Sequence, residues 1–521
     1  MSRTLRIGLV SAAGIVLLSL LCYPFGYDQS VFAVGGELMR RGAVPFRDFM
    51  DTKPPIIFII YAIADIIFGH HEWSVRAFDI IYHCAVLFYL YRIFRKRLGD
   101  EELAFSSVII YVFLYVLSGF WWTTQAESFA LLPMLVLYDL GERAASGESV
   151  IRNGVLVGIL AGILLLLKPT LIAASGAALV YVLFYRTSTR RFEGVQFAGS
   201  MAVGFAALIG LFALYLQNTG ASQNFIFWTQ WVRGYSGIHS QPLGEDFYRS
   251  FPVGLLASYG FSTICIAAIG GYLLAKQGKA RKATYTHLVL QMAFGLGSIL
   301  MERKFFPYQY IRMFWASVPF IAIGLTNLLR HWKQIYRSYT GSLSAWAKKG
   351  ILILAIGSLA FYSLGPRFFS QPVHWTMLRL QGVDVSTDVD THFPKSFYND
   401  ETKVVAALNP KLTPTDRIFL WGNSVELYFL FDRYALAFGL TNTPLVTAWS
   451  APQWKQQLLD SLKRTPPTYF LCEFFDDRAY ITGDTLDSWG HLKQWTQLDS
   501  FVTNTYSEEP AIGHFRIFHR R

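Results

Sequence analysis

Charge is what this chain has least of. Asp, Glu, Lys and Arg together make up 16% of its 521 residues, against about 25% in an ordinary soluble domain. So little surface charge excludes a conventional water-soluble enzyme of this size. Cysteine is scarce as well. Cys22, Cys84 and Cys265 lie in apolar runs and Cys472 in the strand-like "TYFLCEFF", with no spacing that suits a disulfide framework or a zinc ribbon. There is no internal repeat and no low-complexity segment. What the chain does have is apolar: 53% hydrophobic and 16% aromatic residues, gathered in runs of membrane-spanning length. The fold class is a polytopic α-helical membrane protein. The formal net charge of +11 does not point to nucleic acid, because Lys and Arg concentrate in short loops between apolar runs, as membrane insertion requires.

Those loops set the expected topology. "MSRTLRIGLVSAAGIVLLSLLCYP" has a basic start, an apolar run of about 18 residues and no A-x-A cleavage site, so it reads as an uncleaved first span with a cytoplasmic N-terminus. "PPIIFIIYAIADIIFG" (Pro54 to Gly69) offers only about 14 apolar residues where about 20 are needed, and Asp65 interrupts it. Counting it as a span would also place the basic "RIFRKRLGDEE" (Arg92 to Glu102) outside. It is expected to be an interfacial or re-entrant helix, with Asp65 as a buried partner for an arginine of the preceding loop. Ten further spans follow near 77–94, 103–119, 126–140, 152–168, 170–186, 195–216, 251–275, 284–301, 310–329 and 349–365, about 11 transmembrane helices in all. The expected division is a transmembrane domain over 1–366, with a first outer loop at 25–76, and a C-terminal extracytoplasmic α/β domain over 367–521. In that tail "DRIFLW", "TYFLCEFF" and "HFRIFHRR" read as strands. "WKQQLLDSLKRT" and "NSVELYFLFDR" read as helices, the latter capped by Asn423 or Ser424.

The first outer loop carries the densest chemistry. "GYDQSVFAVGGELMRRGAVPFRDFMDTKPP", Gly26 to Pro55, holds three aspartates, one glutamate, three arginines and one lysine. Val31, Phe32, Val34, Leu38 and Met39 form a helical apolar stripe, with Glu37, Arg40 and Arg41 on other faces, which describes an amphipathic helix at a membrane surface. Asp28 opens it, either as an N-cap, where the helix dipole favours a carboxylate, or as a rigidly held base or metal ligand. The same outer rim is expected to carry "SGFWWTTQAES", "LKPT" and "ERKFFPYQY".

These motifs, in this order, resemble the polytopic, lipid-phosphate-sugar-dependent glycosyltransferases of the GT-C fold. The pattern is similar to the dolichyl-phosphate-mannose–protein mannosyltransferases and the bacterial aminoarabinose–lipid A transferases. The resemblance rests on Asp28, "GGELMRRG", Lys53-Pro54-Pro55 and the apolar helix after them. It continues through "FGHHEWSVRAFD" with Arg76, "TTQAESFALLPMLVL" with Glu127, "LLLLKPTL" with Lys168, and "ERKFFPYQYIRMFWASVP" with Arg303, Lys304, Pro307 and Tyr308. It implies an inverting transfer of a sugar from a polyprenyl-phosphate donor to a hydroxyl of a lipid, glycan or protein. The reaction would take place on the outer face of a bacterial inner membrane. The implied roles are Asp28 and Glu127 as catalytic acids, Asp28 being the general base. Lys168, Arg303, Lys304 and Tyr308 would lie at the donor phosphate, and Asp48, Asp51, Lys53 and Arg76 at the acceptor loop. The chain departs from its relatives at Thr52, where they often carry Glu, and at Tyr308, where they often carry His. A divalent metal ion would then need Asp48 or Asp51 as substitutes.

Each residue also has a plainer reading. Glu127 can serve a helix N-terminus, Lys168 and Lys304 can snorkel to headgroups, Arg76 can pair with Asp79, and Asp48 and Asp51 can serve a turn. "GFWWTT" fits an interfacial aromatic belt as well as a sugar platform. His70 and His71 are adjacent, so a zinc site built from that pair is not expected. Two other functions remain open: a transporter or flippase of lipid-linked sugars, and a polysaccharide ligase or polymerase. The first calls for charges near mid-membrane, whereas these gather at one rim. The second calls for an arginine-rich outer loop, whereas Gln217–Ser250 offers only Arg233 and Arg249.

Overall fold

The computed structural model describes residues 2–187, 191–238, 245–275, 279–340, 344, 369–383, 385, 388–390, 397–433 and 438–521. The expected span at 349–365 lies outside them. The chain divides into two compact units, each discontinuous in sequence. The first comprises Met1–Tyr23, Val75–Ile209 and Leu243–Gln381, and the second Pro24–Ser74, Gly210–Pro242 and Gly382–Arg521.

Apolar runs become helices throughout the first unit, because an α-helix satisfies its own backbone where water is absent. Five helical stretches among the described residues are long and apolar enough to cross a membrane: Arg3–Cys22, Glu72–Leu98, Val150–Leu167, Phe192–Asn218 and Pro307–Leu328. The pair Ser250–Tyr259 and Phe261–Ala275, bent by 83°, raises the number to six if it is one broken span. These five or six are counted by length and composition among the described residues and leave the expected number of eleven spans untested. Helices do occupy the other expected positions up to residue 329. Some are shorter, such as Glu101–Val116 with 16 residues and Ala173–Thr187 with 15. Ala126–Ala145 carries Glu127, Asp139, Glu142 and Arg143.

Glycines set how closely two of these helix pairs approach. "NGVLVGILAG" places Gly154, Gly158 and Gly162 on one face of Val150–Leu167 by their spacing of four. A Cβ at Gly158 would collide with the Met201 carbonyl, and one at Gly204 with the Val155 carbonyl, so the backbones of Val150–Leu167 and Arg191–Asn218 touch directly. Gly270 and Gly324 do the same against the Phe320 and Ile266 carbonyls. In lipid, where no hydrophobic force draws helices together, such close packing is a main source of association.

The second unit is α/β. Its sheet has the order β1-β2-β4-β3, with β1 at Ile418–Trp421, β2 at Tyr469–Glu473, β3 at Tyr506–Ile512 and β4 at Phe515–Arg520. β1 and β2 are parallel, with Leu420 opposite Leu471; β4 runs antiparallel to β2 and pairs with β3 as a hairpin. β2 is buried at all five positions, as suits a central strand covered on both faces. The expected strands and the helix Pro452–Arg464 are present. β3 was not expected, because "YSEEPAI" buries only Tyr506 fully and gives no apolar alternation. The sheet's core includes Trp421, Trp454 and Phe470 together with Phe46, Met50, Trp228 and Trp231. The opening loop is thus part of the core of the α/β unit.

Two local expectations are corrected. The helix after β1 spans Glu426–Phe431 with Val425, not Asn423 or Ser424, at its N-cap. Those two residues instead bind the end of β2. Their backbone N–H groups donate to Glu473 Oε2 at 2.6 and 3.1 Å, Ser424 Oγ donates to Glu473 Oε1, and Asn423 Nδ2 donates to Asp476. Glu473 is fully buried. Burial, reinforced by the charge of Asp476, pushes its carboxyl up to about 7 against the pull of Arg478, the Asn423 backbone N–H and the Ser424 hydroxyl.

Two predictions follow from this packing. Gly158→Val should cost on the order of 1–3 kcal/mol through overpacking and lower the apparent Tm of the detergent-solubilised protein. Leu156→Val, at a position 40% exposed on the same helix, should leave it nearly unchanged. Glu473 has a folded pKa above its ordinary 4.5, so its stabilising contribution is complete below that value and is lost as pH rises through about 7. Thermal unfolding at several pH values should show wild type losing stability relative to Glu473→Gln across that window. Parallel curves would contradict the assignment.

Candidate active site

In the first unit the sequence ends a helix where the site needs a cation. Lys168 precedes Pro169, and a residue before proline is pushed to extended backbone. Lys168 accordingly leaves Val150–Leu167 at φ −161, ψ 124, and Pro169 starts a 3-10 turn. The lysine Nζ lies 2.6 Å from Glu127 Oε1 and 2.8 Å from Glu302 Oε2. Arg312 Nη2 spans the same two acids, at 2.6 Å from Glu127 Oε1 and 2.8 Å from Glu302 Oε1. Two acids and two bases thus alternate in a closed, electrically neutral ring. Glu127 is fully buried and Arg312 nearly so.

Polar neighbours complete the ring. Thr170 Oγ1 and Gln309 Nε2 donate to Glu302, and Arg312 Nη1 donates to Ser298 Oγ at 2.7 Å. Lys168 Nζ also lies 4.9 Å from the centre of the Tyr308 ring. Tyr308 in turn stacks on Trp122 and Phe306. Two acceptors are left over: among the described residues Glu127 Oε2 and Gln309 Oε1 are buried without a hydrogen-bond partner.

Arg312, which was not among the expected phosphate-site cations, joins Lys168 on this cluster. Among the described residues the groups that hold Glu127 are Lys168 and Arg312. Arg303 sits at φ +52, just past the helix end at Glu302. Arg76 is fully buried and holds a loop. It donates to Thr123 Oγ1 at 2.8 Å, Thr124 Oγ1 at 2.7 Å and the Phe120 carbonyl at 2.9 Å. Glu302 and Arg312 were missed in the sequence, although both lie in or just after the quoted "ERKFFPYQYIR". Arg312 near the start of an apolar helix was the available signal, since an arginine there needs a buried partner.

In the second unit Asp28 lies inside the first turn of the helix Tyr27–Arg40 and is not its cap. Gly26 is the N-cap, and its N–H donates to Gln29 Oε1 at 3.1 Å. Released from capping, Asp28 takes Lys53 as its partner, with Nζ 3.2 Å from Oδ1. Lys53 is mostly buried and lies 4.9 Å above the Phe32 ring, which fixes the lysine of the Lys-Pro-Pro motif against the opening helix. Asp51 accepts from Lys53 N at 3.2 Å, while Trp228 Nε1 donates to its carbonyl at 2.6 Å. Desolvation raises the Asp51 carboxyl above the usual carboxylate range, Lys53 opposes this, and the nearby Asp28 adds to it.

Asp48 is held differently. Arg47 grips it through two nitrogens at 2.8 and 2.7 Å, and Val44 N donates at 2.7 Å. Burial raises its carboxyl, but these bonds outweigh the effect and hold it low. Neither Asp48 nor Asp51 belongs to a group of three or more potential metal ligands among the described residues. Asp65 does pair with a loop arginine, Arg40, at 2.7 Å.

Residues 52–214 match the family model of the dolichyl-phosphate-mannose-protein mannosyltransferases. The crystal structure of ArnT from Cupriavidus metallidurans bound to undecaprenyl phosphate is similar over 99% of this chain and 98% of that one. Its TM-score is 0.58 at 13% identity. The apo structure of the same protein gives 0.58 at 14% identity, over 98% and 97%. The chain has the GT-C glycosyltransferase fold. No curated protein matches the sequence. The matched part of this GT-C chain includes Lys53, Arg76, Glu127 and Lys168, and stops short of Asp28 on one side and of Glu302, Tyr308 and Arg312 on the other. The family match covers residues 52–214 only and the structural likeness shows the fold, while the apolar helices bring a multi-pass membrane location.

The ring makes a direct prediction. Arg312→Leu leaves two buried carboxylates sharing one lysine, and breaking one side of a buried charge pair costs about 3–5 kcal/mol. The apparent Tm of the purified protein should fall sharply. Adding Glu302→Gln to that variant should recover part of the loss, because it removes the stranded charge.

Proposed function

We propose that this GT-C chain is an inverting glycosyltransferase. It takes a sugar from a polyprenyl-phosphate donor and attaches it to a hydroxyl of a lipid, glycan or protein at the outer face of a bacterial inner membrane. The N-terminus is then cytoplasmic and the α/β tail extracytoplasmic. The observation that carries this reading is the state of Asp28. It is placed by a helix it does not cap, one oxygen is tethered to Lys53, and among the described residues its other oxygen has no partner. A carboxylate held so can accept a proton without losing its position.

The reaction then balances simply. The acceptor oxygen attacks the anomeric carbon, its proton passes to Asp28, and the bond from that carbon to the phosphate oxygen breaks. One displacement inverts the centre. The departing lipid phosphate gains negative charge and needs a cation. In the first unit Lys168 is the candidate for that role, since its side chain is the more exposed of the two cations in the ring, with the Tyr308 ring beside it. Arg312, almost fully enclosed, keeps Glu127 and Glu302 in place while Lys168 engages the phosphate. The undecaprenyl phosphate bound to the similar ArnT supports this class of donor.

The test is transfer or donor hydrolysis by the purified full-length protein with a panel of polyprenyl-phosphate sugars. Asp28→Asn should lower kcat by about 100-fold or more, the usual scale for loss of a general base, in a protein that still folds and unfolds cooperatively. Near-normal turnover by Asp28→Asn would remove Asp28 from the mechanism.

A further inference from the structure

We propose that Glu37, His70 and Asp432 bind one divalent cation of the zinc class. One potential ligand atom from each lies within 4.8 Å of the other two. The three come from separate stretches of the second unit: Glu37 from the helix Tyr27–Arg40, His70 just beyond Ile56–Phe68, and Asp432 at the C-cap of Glu426–Phe431. Backbone geometry delivers two of them. Gly69, at φ +84, turns the chain so that His70 leaves the helix, and Asp432 takes the left-handed conformation at φ 50 that aspartate tolerates better than most residues.

The histidine is prepared as a ligand. Its Nε2 lies 3.0 Å from the Phe429 carbonyl, and its ring stacks on the Phe429 ring with centroids 3.9 Å apart. Donation to that carbonyl puts the proton on Nε2 and leaves the Nδ1 lone pair open. Metal-bound histidines are commonly fixed in this way. Nδ1 faces Glu37 Oε2 at 3.6 Å, too far for a hydrogen bond. Two ligands of one tetrahedral zinc at about 2.1 Å each stand about 3.4 Å apart. Among the described residues neither His70 Nδ1, which also lies 3.7 Å from Asp65 Oδ1, nor Glu37 Oε2 has a hydrogen-bond partner, and Glu37 is only 2% exposed. A nearly enclosed carboxylate oxygen aimed at an open imidazole nitrogen calls for a cation between them.

The charge balance agrees. Three carboxylates, Glu37, Asp65 and Asp432, meet two arginines. Arg40 pairs with Asp65 at 2.7 Å, and Arg41 bridges Glu37 and Asp432. The carboxylates thus outnumber the arginines by one. Arg41 is therefore both partner and competitor, holding Glu37 through Oε1 while Oε2 stays open. One nitrogen and two carboxylate oxygens favour a borderline ion such as Zn²⁺ over Mg²⁺ or Ca²⁺. The neighbouring His71 stacks on Trp73 and is not part of the set.

The experiment is isothermal titration of Zn²⁺ into chelator-stripped, full-length protein in detergent, read without any transferase assay and so independently of the proposed function. Wild type should take up one equivalent per chain. His70→Ala and Asp432→Asn should each weaken binding at least ten-fold, His71→Ala should not, and Arg41→Ala should tighten it by freeing both carboxylates. Asp432 is largely exposed (58%), so Asp432→Asn does not depend on a tolerant core. The absence of saturable uptake by wild type, or uptake unchanged in Asp432→Asn, would overturn the site.

Discussion

Everything polar in the first unit is organised by the need to neutralise buried charge. Glu127 and Arg312 are almost wholly enclosed, and an unpaired ion in such a place would cost several kcal/mol. The closed ring of Glu127, Lys168, Glu302 and Arg312 meets that demand with each acid touching both bases. Much of the nearby backbone serves it. Pro169 throws Lys168 out of its helix, the end of Lys279–Glu302 presents Glu302, and the turn Pro307–Tyr310 lets Arg312 enter the next helix facing inward. Lys168 is the more exposed of the two cations, so it is the one able to trade a carboxylate for a phosphate while Arg312 still holds both acids.

The second unit meets a milder version of the same constraint. Asp28 is partly exposed and Lys53 nearly buried, and the pair joins the start of the opening helix to the Lys-Pro-Pro turn 25 residues later. Arg478 packs over Tyr27, beside Asp28 in sequence, at 4.4 Å. Phe46, Met50 and Trp228 enter the core of the sheet. A loop held by a folded core can keep a carboxylate in one orientation, which a free connector could not do.

Much of this was legible in the sequence because composition and period carry it. Apolar runs gave the helices, and the shortness of Ile56–Phe68, 13 residues or about 20 Å at the helical rise, marked it as too short to span. "DRIFLW", "TYFLCEFF" and "HFRIFHRR" became strands. Glu127 and Lys168, chosen as separate motif residues, prove to be direct partners. What was not legible depends on tertiary placement. Gly26, whose N–H donates to Gln29 Oε1, occupies the N-cap position that one of the two readings gave to Asp28. Arg312 on the ring was missed because helical phase, not a motif, decides that it points inward. His70 was set aside for its neighbour His71, yet its partners lie far away in sequence at Glu37 and Asp432.

The central claim is that Lys168 leaves a neutral buried ring to hold the donor phosphate. It is tested most directly by measuring the affinity of undecaprenyl phosphate for purified wild type and for Lys168→Met, with Arg303→Met as the reference variant. The account predicts at least a ten-fold loss of affinity in Lys168→Met and a much smaller change in Arg303→Met. Equal affinity in wild type and Lys168→Met would contradict it.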